Sequence, residues 1–225
     1  MKGMLTVTGV LAAVVLGGPA PTATAQEAAD PVLAHADVAI TLDESGEDLV
    51  RATYRLTEPT TAAVPVRLLV APRAGTEVTE LTAVSGITGI GPVRGIRAAA
   101  TLPEGTTEYT VEQRIQRTGE ARGVPLAVPD LAADRGLRVA ITVTLPEGQR
   151  LVGDSMPVFE QQHQEGDRVV LRHDSRSLPS MVVAEYGTTS SASLGTVTSY
   201  TGLVLIVAVV AVWLVTSLRK ERPRA

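Results

Sequence analysis

The chain has 225 residues, a formal net charge of −4 and no cysteine. Without cysteine it forms no disulfide and carries no lipid on an N-terminal cysteine, so stability must come from a hydrophobic core, for which the length is sufficient. Because the net charge is negative, the sequence offers no basic surface for nucleic acid, and we exclude nucleic acid as a partner.

The N-terminus predicts a signal peptide over residues 1–25. A positive residue, Lys2, precedes a 13-residue apolar stretch at positions 4–16. As a helix this stretch would rise about 20 Å, short of a hydrocarbon core of about 30 Å, which disfavours the alternative of a first transmembrane helix.

The cleavage site is predicted by Ala23 and Ala25, which form the small-x-small pattern that signal peptidase recognises. The mature chain then begins at Gln26, and residues 26–34 form a short N-terminal extension. A later cut that made His35 the first residue would create a copper chelator from its amine and ring. That cut would lie 18 residues past the apolar stretch, too far for the peptidase.

Residues 35–186 are predicted to form the extracytoplasmic domain, and their apolar residues alternate with polar or small ones. A period of two is typical of strands with one buried and one wet face. The alternating runs are 38–42, 50–56, 64–70, 96–102, 137–145 and 169–171, and residues 178–186 supply a last strand. One short helix is predicted over 130–135, with Asp130 as its N-cap. The pattern favours an all-β ectodomain, an Ig-like or related antiparallel β-sandwich of roughly ten to twelve short strands.

Turn residues separate these runs. The acidic segment 43–48 predicts a solvated hairpin tip, since a calcium loop there would lack a closing ligand. Pro65 places its run at a sheet edge or marks the start of the strand. A Leu-Pro-Glu-Gly turn occurs at 102–105 and again at 145–148. The repeat has two explanations, a duplicated strand-turn-strand sub-unit or good turn chemistry used twice.

The C-terminus predicts a permanent membrane anchor. A stalk of small polar residues, 187–199, leads into a transmembrane helix over 200–218, and a basic tail, 219–225, follows. The uncharged core of the helix rises about 27 Å, enough to span a bilayer and more than a buried core helix needs. The anchoring residues are Tyr200, Trp213, Arg219, Lys220, Arg222 and Arg224. Positively charged segments next to a transmembrane helix remain on the cytoplasmic side of the membrane. We therefore expect a single-pass type I protein of the cell membrane, with a cytoplasmic C-terminus.

Two motifs invite a catalytic interpretation. Residues 153–155 resemble the Gly-Asp-Ser of a serine-esterase family, whose α/β fold carries the motif near its start and an Asp-x-x-His late in the chain; here the motif lies mid-chain in strand-like sequence. Residues 173–175 contain the residue types of a His-Asp-Ser triad, but neighbours in a strand point to opposite faces. We therefore predict no enzyme, no catalytic residue and no cofactor.

A metal site would have to use the histidines, which are His35, His163 and His173. No two are spaced so that neighbours on one strand or helix turn share an ion. His163 and His173 would meet only if two strands brought them together. We therefore predict no metal site.

The function predicted is a non-enzymatic protein-interaction module, or an accessory subunit of a bacterial envelope complex, whose partners are the bilayer and another membrane or envelope protein. Residues 26–199 contain 15 arginines, no lysine and 23 acidic residues, a net charge of about −8. Arginine without lysine is typical of a GC-rich bacterial genome. The alternative is an extracytoplasmic metal- or small-ligand-binding protein.

Mass spectrometry of the mature protein tests the assigned cleavage site. We expect an N-terminus at Gln26, because Ala23 and Ala25 present the small side chains that the peptidase accepts. A chain that retains Met1 would contradict the signal peptide, and one that begins at His35 would restore the copper interpretation.

Overall fold

The computed structural model of the chain describes residues 30–119 and 122–188. Within these ranges the regular structure consists of 13 strands and no helix, which confirms the all-β prediction with slightly more strands than expected. No helix in these ranges is long and apolar enough to cross a membrane. The predicted signal peptide, transmembrane helix and basic tail lie outside the described residues, as does the stalk beyond residue 188.

Seven strands form a large sheet. In spatial order they are β11 (Gln161–Glu165), β12 (Arg168–Ser175), β9 (Ala132–Thr144), β1 (Val32–Thr41), β2 (Glu47–Leu56), β6 (Glu108–Arg117) and β4 (Thr76–Ser85). Neighbours pair antiparallel except β1 and β9, which run parallel. This pair departs from the purely antiparallel arrangement that was predicted. Parallel neighbours need a long crossover, and here the chain between them supplies strands to the other sheets.

The other six strands form two three-stranded sheets, called here the second layer. One contains β10 (Arg150–Met156), β13 (Met181–Gly187) and β7 (Gly123–Pro125); the other contains β5 (Arg97–Leu102), β3 (Val64–Leu69) and β8 (Val128–Pro129). Apolar side chains of both layers join one aliphatic core, an arrangement consistent with a β-sandwich. Its fully buried members include Ile40, Val50, Leu68, Leu102, Leu126, Ile141 and Leu145.

The first predicted hairpin is confirmed. β1 and β2 pair antiparallel with Ile40 opposite Val50, and the acidic segment connects them. Pro65 is the second residue of β3, and β8 pairs only with Leu68 and Leu69 of that strand. Pro65 therefore lies near the start of the strand, outside the part that pairs with β8. Its missing N–H therefore costs no hydrogen bond to β8.

Both Leu-Pro-Glu-Gly turns carry the chain from one layer to the other. The first leads from β5 in the second layer to β6 in the large sheet, and the second leads from β9 in the large sheet to β10. Gly105 and Gly148 adopt φ of +78° and +70°, which the glycine of such a turn tolerates without strain. The two turns thus cross between layers in opposite directions.

The helix predicted over 130–135 is wrong. β9 begins at Ala132, and Ala132 and Ala133 pair with Val32 and Leu33 of β1. The local sequence favours a helix by only fractions of a kcal/mol per residue, and the strand pairing of Ala132 and Ala133 with β1 outweighs that preference.

Gly86 provides a test of the packing where the chain leaves β4. Its φ is +65°, and an added Cβ would lie 2.1 Å from the Glu108 carbonyl oxygen; Gly89 has a φ of +63° with nothing within 4 Å. We expect Gly86→Ala to lower the free energy of unfolding by about 2–4 kcal/mol, and Gly89→Ala to cost about 1 kcal/mol from backbone strain alone. Urea unfolding followed by circular dichroism measures both. Equal losses would contradict the close approach of Gly86 to β6.

Candidate functional site

The most deeply buried charges link three parts of the fold. The side chains of Asp48 on β2 and Arg117 on β6 are only 0% and 5% exposed. The Arg117 Nε and Nη2 both donate to the Asp48 carboxylate, the latter at 2.9 Å, and Nη2 also donates to the Tyr186 hydroxyl at 2.7 Å. Because Tyr186 belongs to β13, this cluster ties the second layer to the large sheet.

The electrostatics of this cluster are those of a structural pair. Burial raises the pKa of the Asp48 carboxyl, while hydrogen bonds from Arg117 and its charge oppose the shift. Burial also disfavours the charged form of Arg117, but its hydrogen bonds to Asp48 and Tyr186 outweigh that effect and raise its pKa. A buried bidentate pair of this kind is costly to break, because either partner alone would be an uncompensated charge.

The acidic segment 43–48 is therefore only partly the solvated tip that was predicted. Asp43 is exposed and accepts hydrogen bonds from the Ser45 amide and hydroxyl at 2.8 and 2.6 Å, which lower its pKa. Asp48 instead points into the core. Its period-two relation to Val50, Ala52 and Tyr54 is the signal in the sequence that places it on the buried face of β2.

Two further buried polar side chains of the large sheet, Tyr54 and Gln113, form hydrogen bonds to the second layer. The Tyr54 hydroxyl donates to the Ala127 carbonyl oxygen at 2.6 Å, and the Gln113 amide donates to the Pro125 carbonyl oxygen. The Tyr54 ring also packs against Tyr109, with centroids 5.1 Å apart. Burial raises the pKa of both tyrosines, so they remain neutral at physiological pH. These contacts fix the segment between β7 and β8.

Each candidate histidine is paired with a nearby carboxylate. The pairs are His35 Nε2 with Asp37 at 2.9 Å, His163 Nε2 with Glu165 at 2.8 Å, and His173 Nδ1 with Glu160 at 2.9 Å. The His173 Nδ1 also lies 2.8 Å from the Val158 carbonyl oxygen, so it fixes the connection between β10 and β11.

The structure does not bring His163 and His173 together. His163 lies opposite Val170 in the ladder of β11 and β12, and His173 is three residues beyond Val170 on the same strand. An odd separation along a strand places side chains on opposite faces. Over residues 30–119 and 122–188, no three His, Asp or Glu side chains come close enough to hold a metal ion together.

The two motifs with catalytic residue types lie in strands. Residues 153–155 belong to β10, where Ser155 pairs with Ala184 of β13. Residues 173–175 belong to β12, where Asp174 lies opposite Ala140 and its neighbours face the other way. The His173 partners are Glu160 and Val158, so this histidine is directed at a loop rather than at a serine.

A groove on the outer face of the second layer gathers charge that sequence reasoning missed. We call it the arginine groove. Arg67 on β3 and Arg97 on β5 are exposed, whereas their strand neighbours Leu68 and Ala98 are buried. Arg67 and Arg97 border an open cavity of about 550 Å³. Its lining residues are Arg67, Gly91, Pro92, Arg94, Arg97 and Ala99.

Small residues form the floor of the groove. Ala99 lies opposite Arg67 in the β3–β5 ladder, and the Gly91 amide donates to the Ala99 carbonyl oxygen at 2.8 Å. The Arg94 amide donates to the Arg97 carbonyl oxygen at 2.8 Å, so the loop before β5 folds back beside that strand. This loop brings Arg94 to the arginines of the two strands.

A second depression adjoins the first and shares Arg67 and Arg97 with it. Its volume is about 240 Å³, and its remaining lining residues are Leu69, Val128, Pro129 and Asp130. The arginine groove thus has a basic lobe around Ala99 and a lobe over β8, called here the apolar lobe, in which Leu69, Val128 and Pro129 lie beside the two shared arginines and Asp130.

The three groove arginines form no ion pair with any residue of the described ranges, in contrast to Arg55 and Arg114 on the large sheet. There, Arg55 lies 2.5 Å from Glu108, and Arg114 lies 3.3 Å from Glu80. Three guanidinium groups around one cavity, without a carboxylate in the basic lobe, form a surface that suits an anionic group.

Comparison with known proteins gives little further information. No family model matches the chain, and no curated protein matches its sequence. Solved structures that resemble it include an M1 zinc metallopeptidase from Deinococcus radiodurans, with 14% identity, a TM-score of 0.38, and coverage of 70% of this chain and 42% of that chain. Native leukotriene A4 hydrolase from Saccharomyces cerevisiae shares 14% identity at a TM-score of 0.37, over 70% of this chain and 29% of that chain. The chain spans less than half the length of these proteins, and we infer no function from a likeness at this level.

The buried pair is tested by removing one charge. Asp48→Asn leaves Arg117 without a counter-charge in the core, so we expect the free energy of unfolding to fall by about 3–5 kcal/mol. The matched control is Glu108→Gln, which breaks the exposed pair with Arg55 and should cost less than about 1 kcal/mol. Urea unfolding measures both variants. A loss for Asp48→Asn no larger than that for Glu108→Gln would show that the buried pair stabilises the fold no more than an exposed one.

Proposed function

We propose that the protein is a membrane-anchored, extracytoplasmic β-sandwich, Ig-like or related, that acts without catalysis as a protein-interaction module of the cell envelope. The observation that carries the proposal is the arginine groove. Arginine is among the residues enriched at protein interfaces, where its fork binds carboxylates and its stem packs on apolar groups.

The position of the groove supports this function. β13 ends at Gly187, and Tyr186 contacts Arg117 near the tip of the first hairpin, so the chain leaves the domain at that end toward the predicted anchor. Asp130 of the groove comes just before Ala132, which pairs with Val32 at the other end of β1. β1 is ten residues long, about 33 Å of extended chain. The apolar lobe therefore lies toward the end of the domain opposite the predicted anchor, where a partner can reach it.

Co-purification of the full chain from its native membrane tests the proposal. We expect the wild-type chain to retain a partner protein, and the double variant Arg67→Gln/Arg97→Gln to retain at least tenfold less of it, because two of the three groove charges are lost. Quantitative mass spectrometry of the eluted proteins gives the ratio.

The matched control is Arg51→Gln/Arg172→Gln, which removes two exposed arginines from the large sheet. It should retain the partner at the wild-type level. A wild-type chain that retains no protein partner would contradict the proposal. So would a purified chain that holds stoichiometric copper or zinc and loses it on His163→Ala, since the protein would then be a metal binder.

A further inference from the structure

The two lobes of the arginine groove define the chemistry of what it binds. We infer that its ligand is an extended segment of a partner protein in which an acidic residue and an apolar residue stand two positions apart. This inference rests on the proposed function and specifies the segment that such a partner presents.

The basic lobe selects the acidic residue. Arg67 and Arg97 lie diagonally across the β3–β5 ladder, with Arg67 opposite Ala99 and Arg97 opposite Leu69. Arg94 approaches from the loop on the far side of β5. Because Ala99 and Gly91 leave the floor open, a carboxylate can lie among all three guanidinium groups and accept paired hydrogen bonds.

The apolar lobe selects the second residue. Leu69 and Val128 are half-buried, and Pro129 closes the lobe. Asp130 also lines this lobe, so a second negative group beside its carboxylate would be repelled. A polyphosphate or nucleic acid, with charge at every repeat, therefore fits the groove less well than a peptide with one acidic and one apolar side chain.

The spacing follows from the sheet. The two lobes adjoin across β5, β3 and β8, since both are lined by Arg67 and Arg97, and their centres therefore lie within one to two strand spacings of each other, about 5–10 Å. Along an extended peptide, side chains two residues apart project from the same face and are separated by about 7 Å. One segment can therefore place its carboxylate in the basic lobe and its apolar side chain in the other.

Peptide binding to the full chain in detergent micelles tests the inference. The probe is a fluorescein-labelled, amidated peptide, Gly-Glu-Ser-Leu-Gly, titrated against protein up to millimolar concentration by fluorescence polarisation. We expect saturable binding that weakens at least tenfold when the peptide glutamate is replaced by glutamine, and severalfold when its leucine is replaced by serine.

Protein variants locate the binding. Arg67→Gln/Arg97→Gln should weaken it at least tenfold, Arg67→Lys/Arg97→Lys severalfold because lysine keeps the charge but not the fork, and Arg51→Gln/Arg172→Gln should leave it unchanged. Absence of saturable binding, or equal binding of the glutamine peptide, would overturn the inference. Equal binding of the serine peptide together with full displacement by millimolar inorganic phosphate would also overturn it, and would indicate a site for small anions.

Failure of this inference is distinguishable from failure of the proposed function. A co-purified partner whose retention depends on Arg67 and Arg97, combined with no peptide binding, would leave the interaction module standing and refute only the ligand chemistry. A full chain that binds the peptide but retains no partner protein from its membrane would refute the function and leave a peptide site.

Discussion

The inner face of β2 and β6 is the constraint on which the rest of the structure depends. The chain has no cysteine and few aromatic residues, so neither a disulfide nor a large aromatic cluster fixes one layer on the other. An aliphatic core supplies most of the burial, but such contacts are non-directional. Directional contacts come from Tyr54, Gln113 and Arg117, each of which reaches a specific atom of the second layer.

These inner contacts also shape the outer groove. Tyr54 and Gln113 hold the carbonyl groups of Ala127 and Pro125, and the chain continues directly into β8. β8 pairs with Leu68 and Leu69 of β3 and thereby forms one wall of the apolar lobe. A two-residue strand has too few ladder hydrogen bonds to fix itself, so its position depends on the buried side chains behind it. Stability and the proposed binding surface are coupled through this short segment.

The sequence predicts the regular parts of the fold because alternation is a local signal. It indicates the first hairpin correctly. Alternate residues from Asp48 to Tyr54, and from Tyr109 to Arg117, share one face of their strands. Following this alternation would also have placed the buried pair of Asp48 and Arg117 on the core face. The sequence pattern fails over 130–135, where the pairing of Ala132 with Val32 of β1 overrides a helical preference. The reason is physical: the competing interaction is with a strand about a hundred residues earlier in the chain.

The groove could not be predicted in the same way. Arg67, Arg94 and Asp130 belong to separate parts of the chain, and each reads as an ordinary exposed residue in its own segment. They meet only because β3 pairs with β5 on one side and β8 on the other. The histidines and the motifs with catalytic residue types are visible in the sequence, yet the structure pairs each histidine with a nearby carboxylate, and His173 also fixes the loop between β10 and β11.

The central claim is that the second layer, and not the face of the large sheet, meets a partner protein. The most direct measurement places a photo-crosslinking amino acid at Ala99, on the floor of the arginine groove, or at Ala39, which is exposed on the outer face of β1. Full-length protein in its native membrane is irradiated, and adducts are identified by mass spectrometry. The account predicts a specific protein adduct from position 99 and none from position 39. An adduct from position 39 alone, or none from either, would contradict it.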